Sequence, residues 1–124
     1  MSIKVTLEST YAILTPDASE TLDGILQFIS DNIHLWNDKN TLWDVRALNF
    51  KDISPEKIRL FTDRIQPVTK IREGLKTAIV VNSDLSFGMT RMFQLQYNEK
   101  INIYTEIFKD KDEAVNWLTD DSTF

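Results

Sequence analysis

Residues 43–58, WDVRALNFKDISPEKI, contain the clearest transition from a strand to a helix in this chain. The run 41–45 that leads into it is short, apolar and β-branched enough for a buried strand. Ser54 is suited to cap a helix and Pro55 suits the first helical position, although Lys57 stands where a capping box has Glu. Apolar residues then recur at helical spacing at Ile58, Phe61, Ile65 and Val68. A strand that leads through a loop into a helix is typical of α/β proteins.

Upstream of this unit, the pattern predicts a hairpin and one helix. The apolar residues of segment 3–7 alternate with polar ones, and 11–14 is a second apolar run after a Ser-Thr break, so we expect two paired strands. A stripe with three- and four-residue spacing follows and predicts an amphipathic helix. Its members are Leu22, Ile25, Leu26, Ile29 and Ile33.

Downstream, residues 77–81 predict a buried strand, Ser83 begins a helix, residues 101–108 alternate as a last strand, and Asp110 opens a short helix. The resulting order is ββαβαβαβα. Strands that alternate with helices pair in parallel through right-handed crossovers, and the hairpin adds an antiparallel first strand. We therefore predict one α/β domain over residues 1–118, with a mixed, mostly parallel sheet of four to five strands and about four helices. Residues 119–124 are expected to be a frayed tail.

Composition limits the classes of partner. The chain has 124 residues, a net charge of −5 and no cysteine. A negative net charge gives no electrostatic basis for binding nucleic acid or anionic lipid, and the absence of cysteine excludes disulfides and thiolate zinc sites. No apolar segment is long enough for a signal peptide or a membrane span. We expect a cytoplasmic protein with no nucleic-acid partner and no membrane span.

The predicted order, together with segments 43–50, 76–81, 88–93 and 112–118, resembles the SpoIIAA-like proteins, a bacterial branch related to STAS domains and often labelled STAS/Sec14-like. The resemblance covers nearly the whole chain. It implies a single α/β domain with a STAS-like fold. It implies no particular activity, because most members of this branch have none assigned.

The resemblance also bears on a phosphate switch. In STAS anti-sigma-factor antagonists, an Asp-Ser-Ser-Gly segment opens a helix and its first serine is phosphorylated. When the chain is aligned on Asp44 and Phe50, Ile53 occupies that acceptor position, so the switch is absent in its usual form. Ser54 is an available hydroxyl at a helix N-terminus, where a phosphate would be stabilised. The simpler interpretation is that Ser54 is only the N-cap.

Polar residues are expected to gather where the parallel strands end, which is where α/β folds usually place ligands. Asp44 and Arg46 follow one strand, and we expect Arg46 to be exposed and available to a partner. The alternative is that Asp44 accepts hydrogen bonds from loop N–H groups while Arg46 is solvated or paired with it. We call the following residues the polar rim: Asp44, Arg46, Asn82, Ser83 and Asp84. Arg91 is expected one or two helical turns further along.

Segment 87–93, FGMTRMF, surrounds a glycine with two methionines and two aromatic residues. Met and aromatic side chains suit a pocket for an apolar ligand, which Trp43 and Tyr104 would help to line. The alternative is core packing, because Met89, Met92 and Phe93 have helical spacing. Phe87 and Arg91, four residues apart on another face, are better candidates for exposed contacts.

The sequence offers little for catalysis. His34, the single histidine, is expected near a helix end and far from Asp44. There is no Gly-rich phosphate loop, no nucleophile elbow and no metal-ligand spacing, and Asp110 and Asp112 have the positions of an N-cap and a first-turn acid. We therefore predict no enzyme activity, no catalytic residues, no metal site and no cofactor.

Two hypotheses for function remain. The first is a non-catalytic regulatory module that binds another protein through residues 46–54 and the adjoining helix. The second is a carrier of a small apolar or anionic ligand held against segment 87–93. A carrier should contain a closed apolar pocket, whereas an interaction module should have a filled core and an exposed apolar patch. A homodimer is compatible with either hypothesis.

Overall fold

The computed structural model of this protein describes residues 2–120, and within that range it contains five strands and four α-helices in the order ββαβαβαβα. The strands are β1 (Ile3–Leu7), β2 (Tyr11–Pro16), β3 (Asn40–Asp44), β4 (Lys76–Val80) and β5 (Tyr104–Phe108). The helices are α1 (Leu22–Asn32), α2 (Pro55–Thr69), α3 (Asp84–Asn98) and α4 (Lys111–Thr119). The predicted α/β class with a mostly parallel sheet is confirmed.

The strands lie in the sheet in the same order as in the sequence, β1-β2-β3-β4-β5, with β1 antiparallel to β2 and all other neighbours parallel. Each new parallel strand is therefore added on the same side of the previous one. Right-handed crossovers then place α1, α2 and α3 together on one face of the sheet. Helix α4 is the last element within residues 2–120, and it packs against β3 and β4 on the opposite face.

Strands β3 and β4 are each buried on both faces, and each of them has apolar side chains on both faces. Leu42, Ala78 and Val80 belong to the cluster under α4, whereas Ile79 and Val81 belong to a cluster on the side of α1–α3. A larger cluster on the side of α1–α3 includes Trp36, which is 2% exposed and stacks on Phe28 with ring centroids 5.9 Å apart.

The predicted helix starts have the expected caps. Ser54 Oγ accepts from the backbone N–H of Lys57 at 3.2 Å, and Pro55 is the first residue of α2. Ser83 and Ser86 form a reciprocal capping box at α3, and Asp110 caps α4. These local bonds explain why α2, α3 and α4 begin where they do.

Several predicted boundaries differ from the structure, by one or two residues at β2, β3 and β4 and by three at the start of the last strand. The last strand begins at Tyr104 rather than at residue 101, because Asn102 is held by the turn before β4: its carbonyl accepts from Gly74 N at 2.8 Å, and its N–H donates to Glu73 Oε2 at 3.0 Å. Gly74 has φ 92°, a conformation that glycine adopts readily. Thr119, assigned from sequence to a frayed tail, is the last residue of α4. The rest of that predicted tail, residues 121–124, lies outside the described residues.

Candidate functional site

The carboxyl ends of the parallel strands meet at one edge of the sheet. The ladder continues just past the strands, where Val45 N–H donates to Val80 O at 3.0 Å and Val81 N–H donates to Phe108 O at 2.9 Å. Asn82 Nδ2 donates to Arg46 O at 2.9 Å and so ties the loop after β3 to the end of β4. This edge therefore brings the polar-rim residues together with the start of α3.

Asp44 and Arg46 form a two-pronged ion pair. Arg46 Nε and Nη2 each donate to a different carboxylate oxygen of Asp44 at 2.8 Å, and the Arg46 N–H donates at 3.3 Å. Asp44 is 6% exposed, while the Arg46 side chain is 44% exposed. The hydrogen bonds from the Arg46 side chain lower the pKa of Asp44 despite its burial, and the same contact raises the pKa of Arg46. From the sequence, Arg46 was either available to a partner or solvated or paired with Asp44, and the structure shows the pair.

Ser54 acts as the N-cap of α2, as described above, and its side chain is exposed. Lys57 Nζ reaches back to the carbonyl of Asp52 at 3.1 Å, so a cation stabilises the turn that precedes the helix. Ile53, at the position that corresponds to the phosphorylated serine of STAS antagonists, is half-buried. That Ser54 is only an N-cap and is not phosphorylated stays a prediction to be tested.

At the start of α3, apolar and charged groups alternate on the surface. Lys109 Nζ donates to Asp84 Oδ1 at 2.7 Å, and this hydrogen bond lowers the pKa of Asp84. The same ammonium lies 5.8 Å from the centroid of the Phe87 ring. Leu85 is 49% exposed and Phe87 is 39% exposed. We call the surface formed by loop 46–54, Asp84, Leu85, Phe87 and Lys109 the carboxyl-edge surface.

Arg91 and Tyr104 lie away from the polar rim. Arg91, one helical turn beyond Phe87, donates through Nη1 to Gln94 Oε1 at 2.5 Å, and Gln94 Nε2 donates to Thr105 O at 2.5 Å. Tyr104 opens β5 and is paired with Lys76, the first residue of β4, so it lies at the amino end of the sheet. The structure does not bring Tyr104 together with the rim residues, because parallel pairing places it at the other end of the strands.

A cavity of about 120 Å³ lies between the sheet and helices α1–α3. Its walls are mainly aliphatic and aromatic, and they include Trp43 and Phe93 from the pocket considered in the sequence, but not Tyr104 or the two methionines of segment 87–93. Arg72 also lines it and is 4% exposed. Sequence reasoning missed Arg72, since it occurs in the short polar connection KIREGLK, where an arginine is normally solvated.

A wider groove of about 650 Å³ lies at the surface between residues 18–23 and segment 48–64. Charged side chains of both signs line it, among them Asp23, Lys57 and Arg64. These side chains are exposed, and water already solvates them. The smaller cavity is therefore the better candidate for holding a molecule, because it combines apolar walls with a buried cation.

Comparisons of the whole chain with family models, with curated proteins and with solved structures gave no match. Within residues 2–120, no helix has the length and apolar character needed to cross a membrane.

Proposed function

We propose that this protein is a non-catalytic protein-interaction module of the SpoIIAA-like, STAS-like class, and that its carboxyl-edge surface contacts the partner. The observation that carries the proposal is the exposure of Leu85 and Phe87, at 49% and 39%, beside charged side chains at the end of the sheet. Protein interfaces commonly place aromatic and aliphatic side chains at the centre and charged residues around them.

The polar groups of this surface are engaged with one another. Arg46 pairs with Asp44, Lys109 pairs with Asp84, and Ser83 pairs with Ser86. Side chains held in this way fix the shape of the surface and present charge of both signs to a partner, which favours specific recognition. They are poorly placed to exchange protons with a substrate, and this supports binding rather than catalysis.

The resemblance of the sequence to SpoIIAA-like proteins supports the inclusion of loop 46–54 in this surface, because the resemblance to STAS antagonists suggests partner binding through that loop and the adjoining helix, here α2. Ile53 has no hydroxyl and cannot accept a phosphoryl group. In the proposed function, binding is therefore constitutive and is not released by phosphorylation at this position.

Site-specific photo-crosslinking in cells of the source organism tests the proposal. A photoreactive residue at position 87 should give a discrete adduct with a partner protein. The same residue at position 7 should not, although Leu7 is 50% exposed, because it lies on β1 at the far edge of the sheet. Phe87→Asp should abolish the complex while the variant keeps the native fold, as checked by circular dichroism, with Leu7→Asp as its matched control. Equal adducts from both positions, or none from position 87, would contradict the proposed surface.

A further inference from the structure

The cavity between the sheet and α1–α3 contains a buried cation without an anionic partner among the described residues. Arg72 donates from Nη1 to Thr77 Oγ1 at 3.1 Å and from Nη2 to the carbonyls of Lys39 and Lys76 at 3.0 and 3.2 Å. All three acceptors are neutral. The Nε–H group is buried and has no acceptor among residues 2–120.

Burying a charge without a counter-ion is costly, and neutral acceptors offset only part of that cost. Burial lowers the pKa of Arg72 to about 10, so the guanidinium is still a cation at neutral pH. An anion that entered the cavity would recover Coulomb energy in a medium of low dielectric, because Arg72 is part of the lining. The free protein thus keeps a cost that a ligand of the right charge would remove.

From this arrangement we propose that the cavity is a binding site for a small monocarboxylate, which places its carboxylate on Arg72 and its apolar tail against Trp43, Ile79 and Phe93. The site is separate from the carboxyl-edge surface and does not depend on the proposed interaction. It goes beyond a general carrier function by naming the residue that recognises the ligand and the chemical class of the ligand.

The charge of the cavity selects a monoanion. Arg72 is the only charged residue among the described residues that line it. One guanidinium neutralises a carboxylate, but a phosphate monoester carries about −1.5 to −2 at neutral pH and would leave uncompensated charge in an apolar space.

The neutral polar groups near Arg72 are arranged to support a carboxylate. The hydroxyls of Thr69 and Tyr97 are hydrogen-bonded to each other, and both residues line the cavity with Thr77 and Thr105. Thr69 Oγ1 donates to Ile65 O at 3.0 Å and Thr105 Oγ1 donates to Ile103 O at 3.3 Å, so these two protons are already engaged. The Tyr97 hydroxyl can rotate from Thr69 towards a carboxylate oxygen and exchange one hydrogen bond for another. Burial raises the pKa of Tyr97, so its phenol remains a donor over the physiological range.

The size of the cavity limits the length of the tail. A cavity of about 150 Å³ accommodates benzene, so the 120 Å³ here fits roughly five or six non-hydrogen atoms. Butyrate and isobutyrate have this size.

Titration of the purified protein with butyrate, followed by calorimetry and by ¹H–¹⁵N NMR, tests the proposal. Butyrate should bind saturably and should shift the Arg72 Nε–H resonance. Butyramide is a neutral molecule of nearly the same shape. It should bind with an affinity at least about tenfold lower, because it lacks the charge-assisted bond. Inorganic phosphate should not bind. Absence of saturable binding by butyrate and isobutyrate, or equal binding of butyramide, would overturn the proposal and make Arg72 a structural residue.

Variants separate the role of Arg72 from general charge effects. Arg72→Met keeps an unbranched side chain and should weaken butyrate binding about tenfold or more, whereas Arg64→Met, at an exposed arginine, should leave it unchanged. Unchanged binding by Arg72→Met would refute the assignment. If Arg72→Met does not fold, the shift of the Nε–H resonance in the wild-type protein decides the question by itself. Phe87→Asp should bind butyrate normally, so failure of the interaction surface and failure of this site remain distinguishable.

Discussion

Replacing Arg46 by alanine removes two of the three hydrogen bonds that the Asp44 carboxylate accepts, both of 2.8 Å, and leaves only the backbone N–H at 3.3 Å. Asp44 is 6% exposed, so water replaces the lost donors poorly. Hydrogen bonds to charged groups contribute about 1.5–3 kcal/mol, and the 44% exposure of the Arg46 side chain reduces that value through solvent screening. We expect Arg46→Ala to lower the free energy of unfolding by about 1–2 kcal/mol. An arginine that only projected into solvent would contribute almost nothing to stability, so the measured loss reports the pairing with Asp44.

The pH dependence of this effect has a definite sign. In the wild-type protein the pKa of Asp44 lies below its ordinary value of 3.8. Its contribution to stability is therefore fully present above pH 3.8 and is lost as the pH falls through the lower, folded pKa. In Arg46→Ala the main cause of the lowering is gone, while burial, which raises the pKa of Asp44, remains. The backbone N–H of residue 46 and Lys111 still lower it, so the folded pKa should rise from its wild-type position towards 3.8, and less stability should be lost on acidification than in the wild-type protein.

Urea denaturation at neutral and acidic pH, together with NMR titration of the Asp44 carboxyl carbon, measures both effects. Arg59→Ala is the matched control, because Arg59 pairs with Glu56 on the surface of α2 and both side chains are more than half exposed. This substitution should change the free energy of unfolding less than Arg46→Ala does and should leave the pKa of Asp44 unchanged. If the pKa of Asp44 and the stability are the same in Arg46→Ala as in the wild-type protein, other groups hold the carboxylate and our account of this pair is wrong.

The remaining predictions concern local structure. Ser54→Ala should cost about 1 kcal/mol in urea denaturation because the N–H of Lys57 loses its acceptor, and Ser54→Asp should preserve most of the stability. Intact-mass analysis after incubation with ATP and extract of the source organism should find Ser54 unmodified; stoichiometric phosphate there would contradict us. Gly74→Ala should destabilise the protein by about 1–2 kcal/mol, because φ at Gly74 is 92°. Gly88 lies in α3 with open space around a new Cβ, so Gly88→Ala should stabilise the protein by about 1 kcal/mol. Thermal melts that reverse these signs would refute the backbone argument.

Much of the fold was predictable because its signals are local. The stripe along α1 and the Ser54-Pro55 start of α2 depend on residues within one or two helical turns, and β3 and β4 are short apolar runs as central strands require. From such elements the parallel pairing follows, and with it the gathering of Asn82 and the Asp44–Arg46 pair at one edge. The start of β5 was not predictable, since the alternation of residues 101–108 continues through a segment that the turn at Gly74 holds out of the strand.

The α/β class, the order of the elements and the helix caps follow from the order of residues alone, since they depend on periodicity and on contacts between neighbours along the chain. Which polar side chains are buried depends instead on the packing of elements that are distant in the chain. Arg72 looks solvated in KIREGLK, yet it donates to the carbonyl of Lys39, 33 residues away, and reaches a cavity whose walls come from several separate elements. Burial of that kind depends on how strands and helices are stacked in space, and a pattern of neighbouring residues along one chain contains no measure of it.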